Sequence, residues 1–212
     1  MTRNAWLLMT AALALPLAAC NNADDTTTTN MAAVANDVSQ SAPVSGAQDT
    51  AAGAVGVASA VMTNKAPDYV KAAAIGDMYE IEASKMALQR SQSAPIKKFA
   101  QQMIDAHTAT TKGLKAALGK SGLDVTPPAA MDNRRQGMLD NLRTASAQDF
   151  DKAYVDQQTA AHREALTLHK SYADDGDNAA LKAFAADTAP KVQQHLDMIK
   201  MLDHSGADST AG

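Results

Sequence analysis

Histidine is the residue type with the clearest capacity for chemistry in this chain of 212 residues, which holds five of them. His107, His162 and His195 each lie on an apolar stripe, near the middle of a different predicted helix. Neutral imidazoles are good ligands for zinc, copper and iron. If the three helices pack around one core, these three side chains form a candidate metal site. His169 is expected at the boundary of the core and His204 at a frayed helix end.

A carboxylate from a fourth helix could complete this set of ligands. Folding the first predicted helix against the second about residues 93–94 places His107 level with about Glu80, within one turn of Glu82. We take Glu82 as the fourth ligand. The hypothetical metal site is therefore His107, His162, His195 and Glu82, and cores of helical bundles commonly host such sites.

Other interpretations of the histidines remain open. They could form a buried polar layer, hydrogen-bonded to one another or to Thr110, Thr188, Gln158 or Tyr154, that fixes helix register. Haem is another candidate, and Met103 and Met198 beside two of the histidines would suit Cu(I). Ferritin-type di-iron chemistry is disfavoured, because Glu-x-x-His is absent: the residues three before the histidines are Ile104, Thr159 and Val192. The sequence alone thus establishes no cofactor.

The elements that must position these side chains are helices. Apolar residues recur at helical spacing over residues 67–91, 95–118, 147–172 and 178–203, and over the shorter 130–143. In the first of these, the predicted stripe is Val70, Ala74, Met78, Ile81, Lys85 and Leu88. No run alternates with the period of two that marks a strand. We predict an all-α, antiparallel four-helix bundle with a short additional helix between helices 2 and 3.

Five segments in order carry a family resemblance: Glu80–Glu82, Phe99–His107, Phe150–Tyr154, Leu181–Ala185 and His195–Leu196. They resemble the bacterial "domain of unknown function 4142" family over about residues 67–203. The resemblance implies a ferritin-like four-helix bundle that is commonly exported. It implies no reaction.

The first residues of the chain are typical of an export signal. Arg3 precedes an apolar run of about 15 residues, too short to span a bilayer, and small residues follow it. Leu17-Ala18-Ala19-Cys20 resembles the lipobox of bacterial lipoproteins, in which the cysteine is lipidated after cleavage. Asn21 resembles the pattern of lipoproteins sent to the outer membrane. We expect Cys20 to anchor the protein to the periplasmic side of that membrane; the alternative is an ordinary signal and a free thiol.

The remaining boundaries follow from composition. Residues 1–19 are the signal peptide, and residues 20–65 are expected to form the lipidated cysteine and a disordered tether, because Ser, Thr, Gly and Ala predominate without a period. Residues 66–204 form the bundle domain, and residues 205–212 a disordered tail. The charged residues Lys97, Lys98, Arg134, Arg135, Asp174 and Asp175 are assigned to solvated faces and turns.

Composition excludes several classes of function. One cysteine cannot form a disulfide within the chain or supply a cysteine-based zinc site. A net charge of −4 with 4% aromatic residues disfavours nucleic-acid binding. No catalytic serine, phosphate-binding or His-Glu-x-x-His motif is present. We predict a non-catalytic binding or interaction role in the cell envelope. The partner that we predict is the membrane, which the lipid anchor would contact. The alternative is a metal-binding protein, which could be redox-active.

Overall fold

The computed structural model describes residues 42–208, with side chains described for residues 46–202. Every regular element in that range is a helix, which confirms the all-α prediction. There are six: α1 Ala42–Val61, α2 Ala66–Arg90, α3 Ala94–Ser121, α4 Asn133–Thr144, α5 Phe150–Asp175 and α6 Ala179–Asp208. None of the described helices is both long and apolar enough to cross a membrane.

Local sequence sets where these helices begin and end. Ser93 caps α3, since its hydroxyl accepts a hydrogen bond from the backbone of Ile96 at 3.4 Å. Asp132 caps α4 in the same way. Gly122 ends α3 with φ of 71°, a left-handed conformation that glycine adopts at no steric cost. The start of α3 lies within one residue of its predicted position, whereas α3 ends three residues beyond the predicted residue 118 and α4 begins three residues after the predicted residue 130.

The four long helices α2, α3, α5 and α6 contact one another in a ring. Three residues separate α2 from α3 and α5 from α6, so each of these pairs is antiparallel. Two apolar clusters fill the core. One includes Phe99, Met103 and Tyr154, and the other includes Leu114 and Leu168. The three histidines lie in sequence between these two clusters, so a polar layer divides the core.

Residues 42–61 differ from the expected tether. They form α1, which packs against α5. A helix of small residues can pack in this way because Gly53 and Ala60 allow two helix backbones to approach closely. α6 likewise continues to residue 208, where a disordered tail was expected from residue 205. Cys20, the signal peptide and residues 20–41 of the predicted tether lie outside the described residues.

Polar groups also hold α1 in place. Asp49 accepts hydrogen bonds from Gln157 on α5 at 2.6 Å and from Asn141 on α4 at 2.9 Å. Arg134 donates to the backbone carbonyl of Ala52. Asp49 is the one ionisable residue of α1. The sequence therefore contained little indication that a charged side chain would hold this helix against the bundle.

We predict opposite effects for two glycine substitutions in α1. A Cβ at Gly53 would lie 2.8 Å from the Cβ of Ala160, and neither atom can move without a shift of its helix. Gly53→Ala should therefore destabilise the protein by about 1–3 kcal/mol. Gly46→Ala meets nothing within 4 Å and should stabilise by up to about 1 kcal/mol, since alanine favours helix. Urea denaturation of both variants measures the difference; equal stabilities would contradict the packing of α1.

Candidate metal centre

The structure brings the three predicted histidines together. His107 on α3, His162 on α5 and His195 on α6 form a triangle with ring centroids 5.5–5.8 Å apart. One ring nitrogen of each lies within 4.8 Å of the others. His162 is fully buried, His107 is buried and His195 is half-buried. Nitrogens of a tetrahedral zinc site are about 3.3 Å apart, so rotamer adjustments of about 1.5 Å or less would close the site on an ion.

Hydrogen bonds on the outer side of the cluster orient two of the rings. His107 Nδ1 donates to the carboxylate of Asp77 at 2.8 Å, and Thr111 donates to the other oxygen of that carboxylate at 2.9 Å. His162 Nδ1 donates to the backbone carbonyl of Gln158 at 2.9 Å. Holding Nδ1 in this way leaves Nε2 free to bind a metal, which is how metal-ligating histidines are usually supported.

The nitrogens that remain have no hydrogen-bond partner among the described residues. They are His107 Nε2, His162 Nε2 and His195 Nδ1, all buried. A polar layer in which the histidines bond one another is therefore not what the structure shows. Of the other predicted partners, Gln158 accepts from His162 through its backbone carbonyl, whereas Thr110 and Thr188 bond carbonyls of their own helices, and Tyr154 bonds Ser84. Buried polar atoms are nearly always satisfied, and an orphaned nitrogen on each of three neighbouring rings is the arrangement that a shared ligand would satisfy.

Glu80, not Glu82, is the carboxylate beside the histidines. One oxygen of the buried Glu80 lies 3.6 Å from His162 Nδ1, and the other has no partner. Glu82 is exposed and accepts a hydrogen bond from Lys85 on the surface. The two positions are about 200° apart around the helix, so only one can face the core.

The buried face of α2 lies about one residue from the predicted stripe. It runs through Ala73, Asp77, Glu80 and Ala87, whereas Lys85 is exposed. The prediction followed the larger apolar residues Met78 and Ile81, which are only half-buried. The missed signal was Asp77 three residues before Glu80, a spacing that puts both carboxylates on one helix face.

Burial controls the protonation of the cluster. It lowers the pKa of His162 well below its ordinary value, with the charges of His107 and His195 acting in the same direction. It lowers the pKa of His195 to about 4 and raises that of Glu80 to about 7. For His107, burial alone would lower the pKa, but Asp77 and Glu80 together raise it above the usual value. Two of the three imidazoles are therefore neutral at pH 7, the form that binds metal.

His169 is a core residue, contrary to the expectation that it lies at the boundary. Tyr69 donates its hydroxyl proton to His169 Nδ1 at 2.9 Å, and both side chains are buried. Burial lowers the pKa of His169 to about 3, so its ring is neutral and accepts this bond. His169 has a partner of its own and does not join the cluster. The side chain of His204 lies outside the described residues.

The arginines of α4 also depart from the expected solvated face. Arg135 is 2% exposed, pairs with Glu164 at 2.9 Å and lies over the ring of Tyr79. Arg134 makes two further hydrogen bonds to Glu164. The sequence did not reveal this, because adjacent arginines in a short polar helix are more often exposed.

Comparison with known proteins agrees with the resemblance in the sequence. The model of the family described as "Domain of unknown function (DUF4142)" matches residues 51–202, which include α2 to α5 and all three histidines of the cluster. No curated protein and no solved structure gave a match. Since the match extends from the middle of α1 through most of α6 and covers well over half of the chain, the protein belongs to the DUF4142 family.

Proposed function

We propose that this protein binds a transition-metal ion at the centre of its helical bundle. The observation that carries the proposal is the convergence of three histidines from three helices, each of which has a buried ring nitrogen with no partner among the described residues. His107, His162 and His195 would hold the ion, with Glu80 beside it. Three imidazoles suit zinc, copper or iron in the divalent state. The carboxylate would offset one of the two positive charges, which favours burying the ion.

Metal titration of the full chain tests this directly. The protein is stripped with chelator, dialysed against zinc, copper or iron, and its metal content and melting temperature are measured. We expect one ion per chain. At an ion concentration about 1,000 times the Kd, the free energy of unfolding should rise by about 4 kcal/mol. Absence of bound metal with an unchanged melting temperature for all three ions would end the proposal.

Asp77 should act as a positioning residue for His107. Asp77→Asn keeps the shape of the side chain but removes the charge that supports the imidazole, so we expect metal affinity to fall by about 10–100-fold. Asp105→Asn on the exposed face of α3 is the matched control and should bind as the unaltered chain does. Isothermal titration with zinc compares the two. A loss of affinity in both variants would point to overall charge instead of positioning.

The proposal includes a ferritin-like arrangement of the four long helices. Support comes from the ring of contacts, from the two antiparallel pairs and from the longer connection through α4 that joins them. In ferritin-like proteins, metal is held by residues that project inward from four facing helices. Here, inward-facing histidines on α3, α5 and α6 supply the candidate ligands, and Glu80 on α2 lies beside them.

A second proposal concerns location and rests on the sequence around Cys20. We propose that the chain is exported and lipid-anchored at Cys20, and that it acts in the envelope by binding, without catalysis. The single cysteine of the chain stands at the position that a lipobox requires. Lipidation of this kind gives stable membrane attachment. Cys20→Ser should move the protein from the membrane fraction to the soluble fraction, and continued membrane retention would contradict the proposal.

A further inference from the structure

A small cavity of about 30 Å³ adjoins the histidine cluster. His107, His195 and Glu80 are among the residues that line it, and Arg135 contributes to the same wall. One enclosed water needs about 10–15 Å³ of such space, so the cavity accommodates about two. An organic substrate does not fit, whereas a ligand of a few atoms does.

Small side chains leave this space open beside the polar layer. The cavity walls include Ala72, Ala73 and Gly76 on α2, and Ala161 and Ala165 on α5. Elsewhere the core of the bundle carries larger residues, such as Phe99 and Leu114. The lining also reaches Lys191, which is exposed on α6. The cavity thus extends from the histidines toward solvent at a positively charged side chain.

One metal ion does not satisfy all the polar groups around this cavity. An ion would engage the three free histidine nitrogens. Glu80 Oε2 and Arg135 Nε are also buried, and neither makes a hydrogen bond of good geometry in the described part of the chain, although the Gln158 amide lies near enough to Glu80 to oppose the rise in its pKa. The first is an acceptor when ionised and the second is a donor. A small ligand that binds the ion through a lone pair, accepts from Arg135 and donates to Glu80 would satisfy both.

Building on the proposed metal centre, we propose that one coordination position of the ion faces this cavity and binds an exchangeable oxygen or nitrogen ligand of about one to three heavy atoms. Water or hydroxide fills this position at rest, between Glu80 and Arg135. Incoming ligands of this class, of which azide is a convenient probe, displace the water. An open coordination position distinguishes reactive metal sites from purely structural ones, in which four protein groups close the sphere.

Azide titration of the copper-loaded full chain tests the open position. We expect a saturable azide-to-copper charge-transfer band with no loss of copper. Ala73→Val and Ala161→Val place methyl groups in the cavity walls and should weaken azide binding by about tenfold or more, with copper retained. Ala117→Val is the control, because Ala117 is buried in the apolar core but does not line the cavity. It should bind azide as the unaltered chain does.

The outcomes separate this inference from the proposed function. Retained copper without an azide band would overturn the open position and leave the metal site standing. Equal azide affinity in the two cavity variants and the control would show that azide binds elsewhere. Failure to take up copper, zinc or iron would refute the metal site itself, and the inference with it.

Discussion

His162→Leu is expected to abolish metal binding and, in the same variant, to stabilise the metal-free protein. His162 is fully buried, and its Nε2 has no hydrogen-bond partner among the residues that the structure describes. Leaving such a group unsatisfied costs about 1–3 kcal/mol, and leucine of similar volume removes that cost. Its other nitrogen bonds only a carbonyl within its own helix, so little is lost there. The free energy of unfolding of the metal-free protein should rise by about 1–2 kcal/mol.

Denaturation with and without zinc measures both effects. The unaltered chain should be stabilised by zinc, and His162→Leu should show no response to it. His169→Leu is the matched control on the same helix. It should bind zinc normally but lose about 1–3 kcal/mol of stability, because the buried hydroxyl of Tyr69 loses its partner. Destabilisation of metal-free His162→Leu would show that the histidine cluster stabilises the fold and does not strain it.

The metal-free protein should lose stability as the pH falls from about 6.5 toward 4. Burial lowers the pKa of His162, and it lowers those of His169 and His195 to about 3 and about 4. In the unfolded chain all three take up protons below about pH 6.5. The unfolded state then binds more protons than the folded state, and acidification favours it.

Three groups oppose this trend, and one of them is Asp49, because burial raises the pKa of its carboxyl. The pKa of Glu80 is raised to about 7, so between about pH 7 and 4.5 the folded protein keeps a proton that the unfolded chain releases. This contribution is lost as the pH rises through 7. Above about pH 6.5, folded His107 likewise keeps a proton that the unfolded chain releases, because its pKa is raised. Three lowered histidines against the raised carboxyl of Glu80 leave a net difference of at most two protons, about 3 kcal/mol per pH unit, and the raised pKa of Asp49 reduces this difference at the acid end.

Urea denaturation of the chelator-treated protein between pH 4.5 and 7.5 checks this balance. Stability should peak near neutral pH and decline on the acid side. His169→Asn removes one titrating group and should reduce the acid slope by about 1.4 kcal/mol per pH unit. Stability that is constant or rising toward pH 5 would contradict the neutral state of the buried imidazoles. Bound zinc should steepen the decline, because protons compete with the metal for the same nitrogens.

Helical periodicity made the histidines of the site predictable but not its carboxylate. The three histidines share their helix faces with large apolar residues such as Phe99 and Leu168, so the stripe that marks the core also marks them. On α2 the buried face is built from alanines, a serine and two carboxylates, and it carries little apolar signal. The predicted stripe on this helix followed Met78 and Ile81, which are only half-buried. The predicted core face was therefore rotated by about one residue, and Glu82 was predicted at the site where the structure places Glu80.

The sequence by itself determined the helices and the core-facing positions of the three histidines, because local caps and a period of 3.6 residues depend on neighbours along the chain. Only the tertiary structure decided which carboxylate faces the cluster, that α1 packs on α5, and that Arg135 is buried against Glu164. Those outcomes depend on how closely small residues let two backbones approach and on which opposite charges then meet. Both are properties of packing between segments far apart in the chain.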